Sequence, residues 1–149
     1  WQVWQAGKGW AGVGKAAMGS YDAIRVYLWL GMLSADAPER AALLLHFKPM
    51  IEATARLGYV PEQVDIATGQ QRGTGPVGFS AALLPLLASD PSLAAALAAQ
   101  RERLHHEPAL ADAYYNQSLL MFGQGWDEQR YRFDKDGRLL PNWTGTCTP

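Results

Sequence analysis

Asp22 and Arg25 stand three residues apart at the start of a strongly apolar stretch, GSYDAIRVYLWLGML over residues 19–33. Residues at that spacing share one side of a helix. A carboxylate in a first helical turn feels the positive end of the helix dipole, and a nearby guanidinium adds to it; both hold it ionised. An ionised carboxylate held in place is what a general base requires. The plainer alternative is an acidic first turn that only stabilises its own helix. These residues alone leave both open. Ser20 is suited to cap such a helix through its hydroxyl. Beyond it Ile24, Val26, Tyr27, Leu28, Trp29, Leu30, Met32 and Leu33 leave almost no polar face, as in a helix buried inside a larger body.

Other groups with chemical potential are weaker. Asp65 lies in a loop, and loops on a rigid scaffold often carry function, but a solvated aspartate is the simpler reading. His46 falls in an apolar stretch and reads as a packing histidine. His105 and His106, followed by Glu107, suggest metal ligands only superficially, because adjacent helical side chains diverge by roughly 100°. Gly7-Lys8-Gly9 and Gly12-Val13-Gly14 lack the preceding strand and the Lys-Ser/Thr ending of a phosphate loop. Cys147 is single and forms no internal disulfide, so cysteine usage assigns no redox compartment. Six Trp and six Tyr in 149 residues mostly fill core, with Trp4 and Trp10 among the packing residues, although exposed aromatic faces also stack on sugars.

The elements that must hold Asp22 read as helices. A second helix starts near Pro38 and runs to Gly58, with Ala42, Leu43, Leu45, His46 and Phe47 as its apolar face and a kink or break at Pro49. Residues 59–77 form a loop punctuated by Pro and Gly. A third helix spans about 78–88, bent by Pro85. A fourth starts at Asp90-Pro91 and runs to about His105. A fifth spans 111–122, stopping at Gly123, with Tyr114 and Tyr115 near its start. Residues 129–140 form a hairpin turning at Asp136-Gly137. The first 18 residues read as a short extended segment and a loop, and residues 144–149 as a mobile tail. The result is a mainly α chain forming one domain.

Net charge is −1, with 48% hydrophobic and 18% charged residues. This offers no polybasic surface for nucleic acid or anionic membrane. Pro85, Asp90 and Pro91 break the apolar runs, so no membrane insertion is expected. The chain shows no signal peptide and begins at Trp1 without Met, which suggests processing, truncation or a fragment.

SYDAIRVYLW resembles the segment of family 8 glycoside hydrolases that carries their catalytic base. FKPM (47–50), GTGPVGFSAA (73–82), DAYYNQSLLMFGQGW (112–126) and YRFDKDGRLLPNW (131–143) extend the likeness over nearly the whole chain. The resemblance implies an (α/α)6 barrel, an inner ring of helices within an outer one and a sugar cleft across one end. The five helices read here would be its C-terminal part, with the small hairpin after them. It further implies endo-β-1,4-glucanase activity with inversion, Asp22 as base, Tyr21 and Arg25 orienting it and the water, and Tyr114 and Tyr115 lining sugar sites. No cofactor or metal is implied. Implied partners are β-1,4-glucan chains (cellulose and cello-oligosaccharides), the missing N-terminal part of the barrel and the bacterial cellulose synthase complex, in a periplasmic or secreted setting. The family's general acid is a Glu near the start of its mature chain, and nothing here matches that motif; the isolated chain is therefore expected to be inactive. A same-fold hydrolase of xylan or chitosan, or a non-catalytic helical module binding glycan or protein, are the alternatives.

Overall fold

The computed structural model describes the backbone of residues 2–5 and 9–12, and the whole of residues 18–110 and 113–142. The side chains of Trp4 and Trp10, Cys147 and the tail at 144–149 lie outside the described residues. Two short strands, β1 (Gln2–Gln5) and β2 (Gly9–Gly12), pair antiparallel where an extended segment and a loop are expected from sequence. Next come β3 (Met18–Gly19), α1 (Ile24–Met32) and α2 (Arg40–Leu57). The connection that follows is not all loop. It holds β4 (Gln63–Asp65) and β5 (Gln71–Arg72), which join β3 in a three-stranded antiparallel sheet. Then come α3 (Val77–Leu87), α4 (Ala94–His106), α5 (Tyr114–Asp127) and a hairpin of β6 (Tyr131–Phe133) and β7 (Leu139–Pro141).

Helix α3 is the centre of the fold. Its sequence, VGFSAALLPLL, has no charged residue, and every position of it is buried. α1 and α5 flank it in the same direction, and α4 covers it from outside. The parallel direction follows from contacts at both ends. Near the starts, Tyr21 meets Phe79 and Gly78 meets Asn116; towards the ends, Gly31 meets Pro85 and Leu86. α2 and α4 return outside this row, α2 against α1 and α4 against α3. Two glycines permit the close approach. A Cβ on Gly31 would stand 2.7 Å from the Pro85 carbonyl carbon, and one on Gly123 would stand 2.5 Å from that of Ala81. Both neighbours are backbone and cannot move aside.

A buried polar chain ties three helices together. Gln100 of α4 donates to the Gly58 carbonyl at the end of α2 (2.9 Å) and accepts from the Ser80 hydroxyl of α3 (2.8 Å). Arg103 in turn donates to Ser80. Each polar group thereby replaces the water it loses on burial.

Several expectations need correction. Helix α1 begins at Ile24, not at Ser20: residues 20–23 form a turn in which Ala23 and Ile24 donate to the Ser20 carbonyl, at 2.9 and 2.8 Å. α2 passes through Pro49 without a break, because Met50 and Ala53 just beyond it are locked in the core. Its buried face is Met50, Ala53 and Thr54; Leu45 is 73% exposed, and His46 stands exposed with its ring edge-on to Phe47. α5 starts at Tyr114 and does not stop at Gly123, which is a packing residue against Ala81. Other expectations agree. Gly58 closes α2 in the left-handed conformation (φ 78°). Asp90 caps a 3-10 turn ahead of α4 by accepting the Ser92 N–H at 2.8 Å. In the last hairpin the Asp134 carboxylate accepts from Asp136 and Arg138, and Gly137 takes φ 77°.

Candidate active site

The parallel row brings three helix N-termini to one end, and Tyr21, Asp22, Arg25, Tyr114 and Tyr115 all sit there. Tyr21 and Asp22 belong to the turn before α1. Asp22 therefore lies just outside the first helical turn, where the sequence reading places it, but still beside the helix start. Arg25 is the second helical residue. Both Asp22 and Arg25 are exposed, and no hydrogen bond or ion pair joins them among the described residues.

The turn is anchored by aromatic side chains from the other two helices. Phe79 of α3 meets the Tyr21 ring edge-on, with centroids 4.9 Å apart. The Tyr115 ring lies 6.1 Å from the Tyr21 ring, and its phenol donates to the Tyr21 backbone carbonyl at 2.6 Å. Burial pushes the Tyr115 phenol above its ordinary range; Arg25 pulls it down, while Asp22 and Tyr21 push it up. Arg25 and Asp22 are thus close enough to be felt at one hydroxyl group. Tyr114, by contrast, is 82% exposed. The arrangement offers an accessible carboxylate on a fixed turn and a guanidinium from the start of α1, beside one exposed and one anchored tyrosine.

Sequence reasoning did not find Phe79 or Asn116. Asn116 lies against Gly78 at the start of α3, its buried Oδ1 without a partner among the described residues. Neither carries a periodic signal, since both owe their place to helix packing. The weaker candidates do not join the site. The Asp65 carboxylate accepts the backbone N–H groups of Ala67 and Thr68 at 2.8 and 2.9 Å, which holds it below the usual carboxylate range and closes the β4–β5 turn. His106 pairs with Glu102 on the exposed face of α4 at 2.7 Å. No group of three or more His, Cys, Asp or Glu is arranged to hold a metal among the described residues. A concavity of about 310 Å³ between α2 and residues 66–69 includes none of the five site residues.

Comparison with known proteins gives concordant results. Residues 1–129 match the family described as Glycosyl hydrolases family 8. The endoglucanase of Escherichia coli (strain K12) is 48% identical over 148 residues, covering 99% of this chain and 39% of that protein. The endoglucanase of Xanthomonas axonopodis pv. citri (strain 306) is 46% identical over 150 residues, with the same two coverages. Among solved structures, an endo-1,4-D-glucanase from Vibrio fischeri ES114 superposes with a TM-score of 0.74 at 38% identity, covering 91% of this chain and 40% of that one. The chain spans about two fifths of the length of these relatives. Its inner and outer helices correspond to part of an (α/α)6 barrel.

Proposed function

Because the chain belongs to glycosyl hydrolase family 8, we propose that it is the C-terminal portion of a single catalytic domain that cleaves β-1,4-glucan with inversion, and that Asp22 is its general base. The observation that carries this reading is the position of Asp22: exposed, unpaired among the described residues, and held on a turn at the end where three helix N-termini meet. In an inverting reaction the two carboxyl groups lie roughly 6.5–9.5 Å apart, with a water between the base and the sugar. The Asp22 carboxylate takes a proton from that water as its oxygen attacks the anomeric carbon. The leaving oxygen departs from the opposite face and is protonated by the general acid. That acid lies in the part of the barrel beyond this chain, so residues 1–149 alone are inactive. Tyr21 and Arg25 orient the base and the water. Tyr114 lines the sugar path, its 82% exposed ring suited to stacking, whereas the Tyr115 hydroxyl, read from sequence as a second sugar contact, is turned to the Tyr21 carbonyl.

Glucan is favoured over xylan or chitosan because the similar proteins are endoglucanases. A periplasmic or secreted location and a role beside cellulose synthesis rest on the same likeness; no described helix is long and apolar enough to cross a membrane.

Two measurements on the whole protein test the proposal. NMR of the first products from a β-glucan should show the α-anomer, and retained β-configuration would overturn inversion. Asp22→Asn should lower turnover by about 10²–10⁴-fold, with cello-oligosaccharide binding nearly unchanged. Near wild-type turnover would return Asp22 to a helix-stabilising role.

A further inference from the structure

We propose that Tyr115 is a positioning residue, whose phenol fixes the peptide plane that carries Asp22 by holding the Tyr21 carbonyl. The inference rests on the reading of Asp22 as base. In a continuous helix the Tyr21 carbonyl would accept the Arg25 N–H, four residues on. Here no backbone donor reaches it among the described residues, and the Tyr115 hydroxyl takes that place at 2.6 Å. The carbonyl oxygen of residue 21 and the nitrogen and Cα of residue 22 lie in one rigid plane. A hydrogen bond at the carbonyl edge therefore restrains the Cα from which the carboxylate hangs.

The other supports of the turn act elsewhere. Ala23 and Ile24 bind the Ser20 carbonyl, and Phe79 braces the Tyr21 ring. Among the described residues only Tyr115 holds the plane between Tyr21 and Asp22 directly. Its single hydroxyl proton is already committed to that bond, so it has none to donate to a sugar. Tyr114, one residue earlier and 82% exposed, has no such duty.

The test uses the whole enzyme with Tyr115→Phe, which keeps the ring and removes only the hydroxyl. Misplacement of the base should lower kcat by about 10- to 100-fold with KM unchanged. In an Asp22→Asn background the same change should lower kcat no further, because the residue it positions is gone. Hydrogen exchange at the Ala23 and Ile24 amides should quicken as the turn loosens. A raised KM with unchanged kcat would make Tyr115 a sugar-lining residue and overturn the proposal, as would multiplicative losses in the double variant. If Asp22→Asn is inactive while turn exchange stays slow in Tyr115→Phe, only the positioning role fails. If Asp22→Asn keeps full turnover, the base assignment fails and takes this role with it.

Discussion

Tyr27 is fully buried, and its hydroxyl has no hydrogen-bond partner among the described residues. Burial pushes its phenol up to about 12 from the ordinary 10.0. The folded chain therefore holds this proton more tightly than the unfolded chain. The associated stability is complete below about pH 10 and is lost as pH rises towards about 12. Tyr27→Phe should remove that alkaline loss. It should also stabilise the protein at neutral pH by about 1 kcal/mol, since an unsatisfied buried hydroxyl costs on that order. Denaturant midpoints at pH 7 and pH 11 check both, and a marked loss of stability at pH 7 would show that the hydroxyl has a partner. At this scale the sequence was informative about types and not about pairings. Asp22 and Arg25 share a region as their spacing implies, yet do not bond, because Asp22 sits on the turn at 20–23 while Arg25 is already inside α1. That turn depends on Tyr115, 94 residues away from Tyr21, and local reading could not see it.

Glycine is ambiguous among the elements. Gly58 ends α2 as its position suggests, whereas Gly123 lies within α5 and exists for contact with the Ala81 backbone. Gly123→Ala should cost about 1–3 kcal/mol, the usual range for overpacking, and Gly31→Ala should behave alike against Pro85 and Leu86. Alanine at Gly58, where nothing lies within 4 Å of an added Cβ, strains only the left-handed backbone. Chemical denaturation of the three variants would compare steric and conformational costs; equal, small losses at Gly31 and Gly123 would mean that the helices can part. Helix number and order were legible from capping and apolar runs. At Pro49 a kink or a break was expected, and α2 runs on through it with Met50 and Ala53 buried just beyond; Pro85 lies inside α3, where a continuous helix was expected. The small strands β1 to β5 were not legible, because segments of two to four residues form only where something else brings them together.

Val26, Trp29, Leu33, Leu45 and Met121 leave substantial apolar surface in water, and Trp29 is 45% exposed on the helix that follows the candidate base. The sequence reading of α1 as buried on all sides describes a helix with more neighbours than this chain supplies. At about 25 cal/mol per Å², a few hundred Å² of such surface forfeits several kcal/mol, a large part of a domain's net stability of roughly 5–15 kcal/mol. The isolated chain should therefore self-associate, and sedimentation velocity would show species heavier than 16.3 kDa. A cooperatively unfolding monomer would mean that the helices close on themselves. The burial of α3 between α1 and α5 carries a further consequence. In an open arc every interior helix is covered and the two at the ends are not, whatever the arc's length. The deficit resembles a line tension: it belongs to having ends, stays constant as helices are added, and vanishes in one step when the ring shuts. Truncating such a barrel should therefore not weaken it by degrees. The first pair of helices removed should cost most of the cooperativity, and each later pair little more than its own contacts.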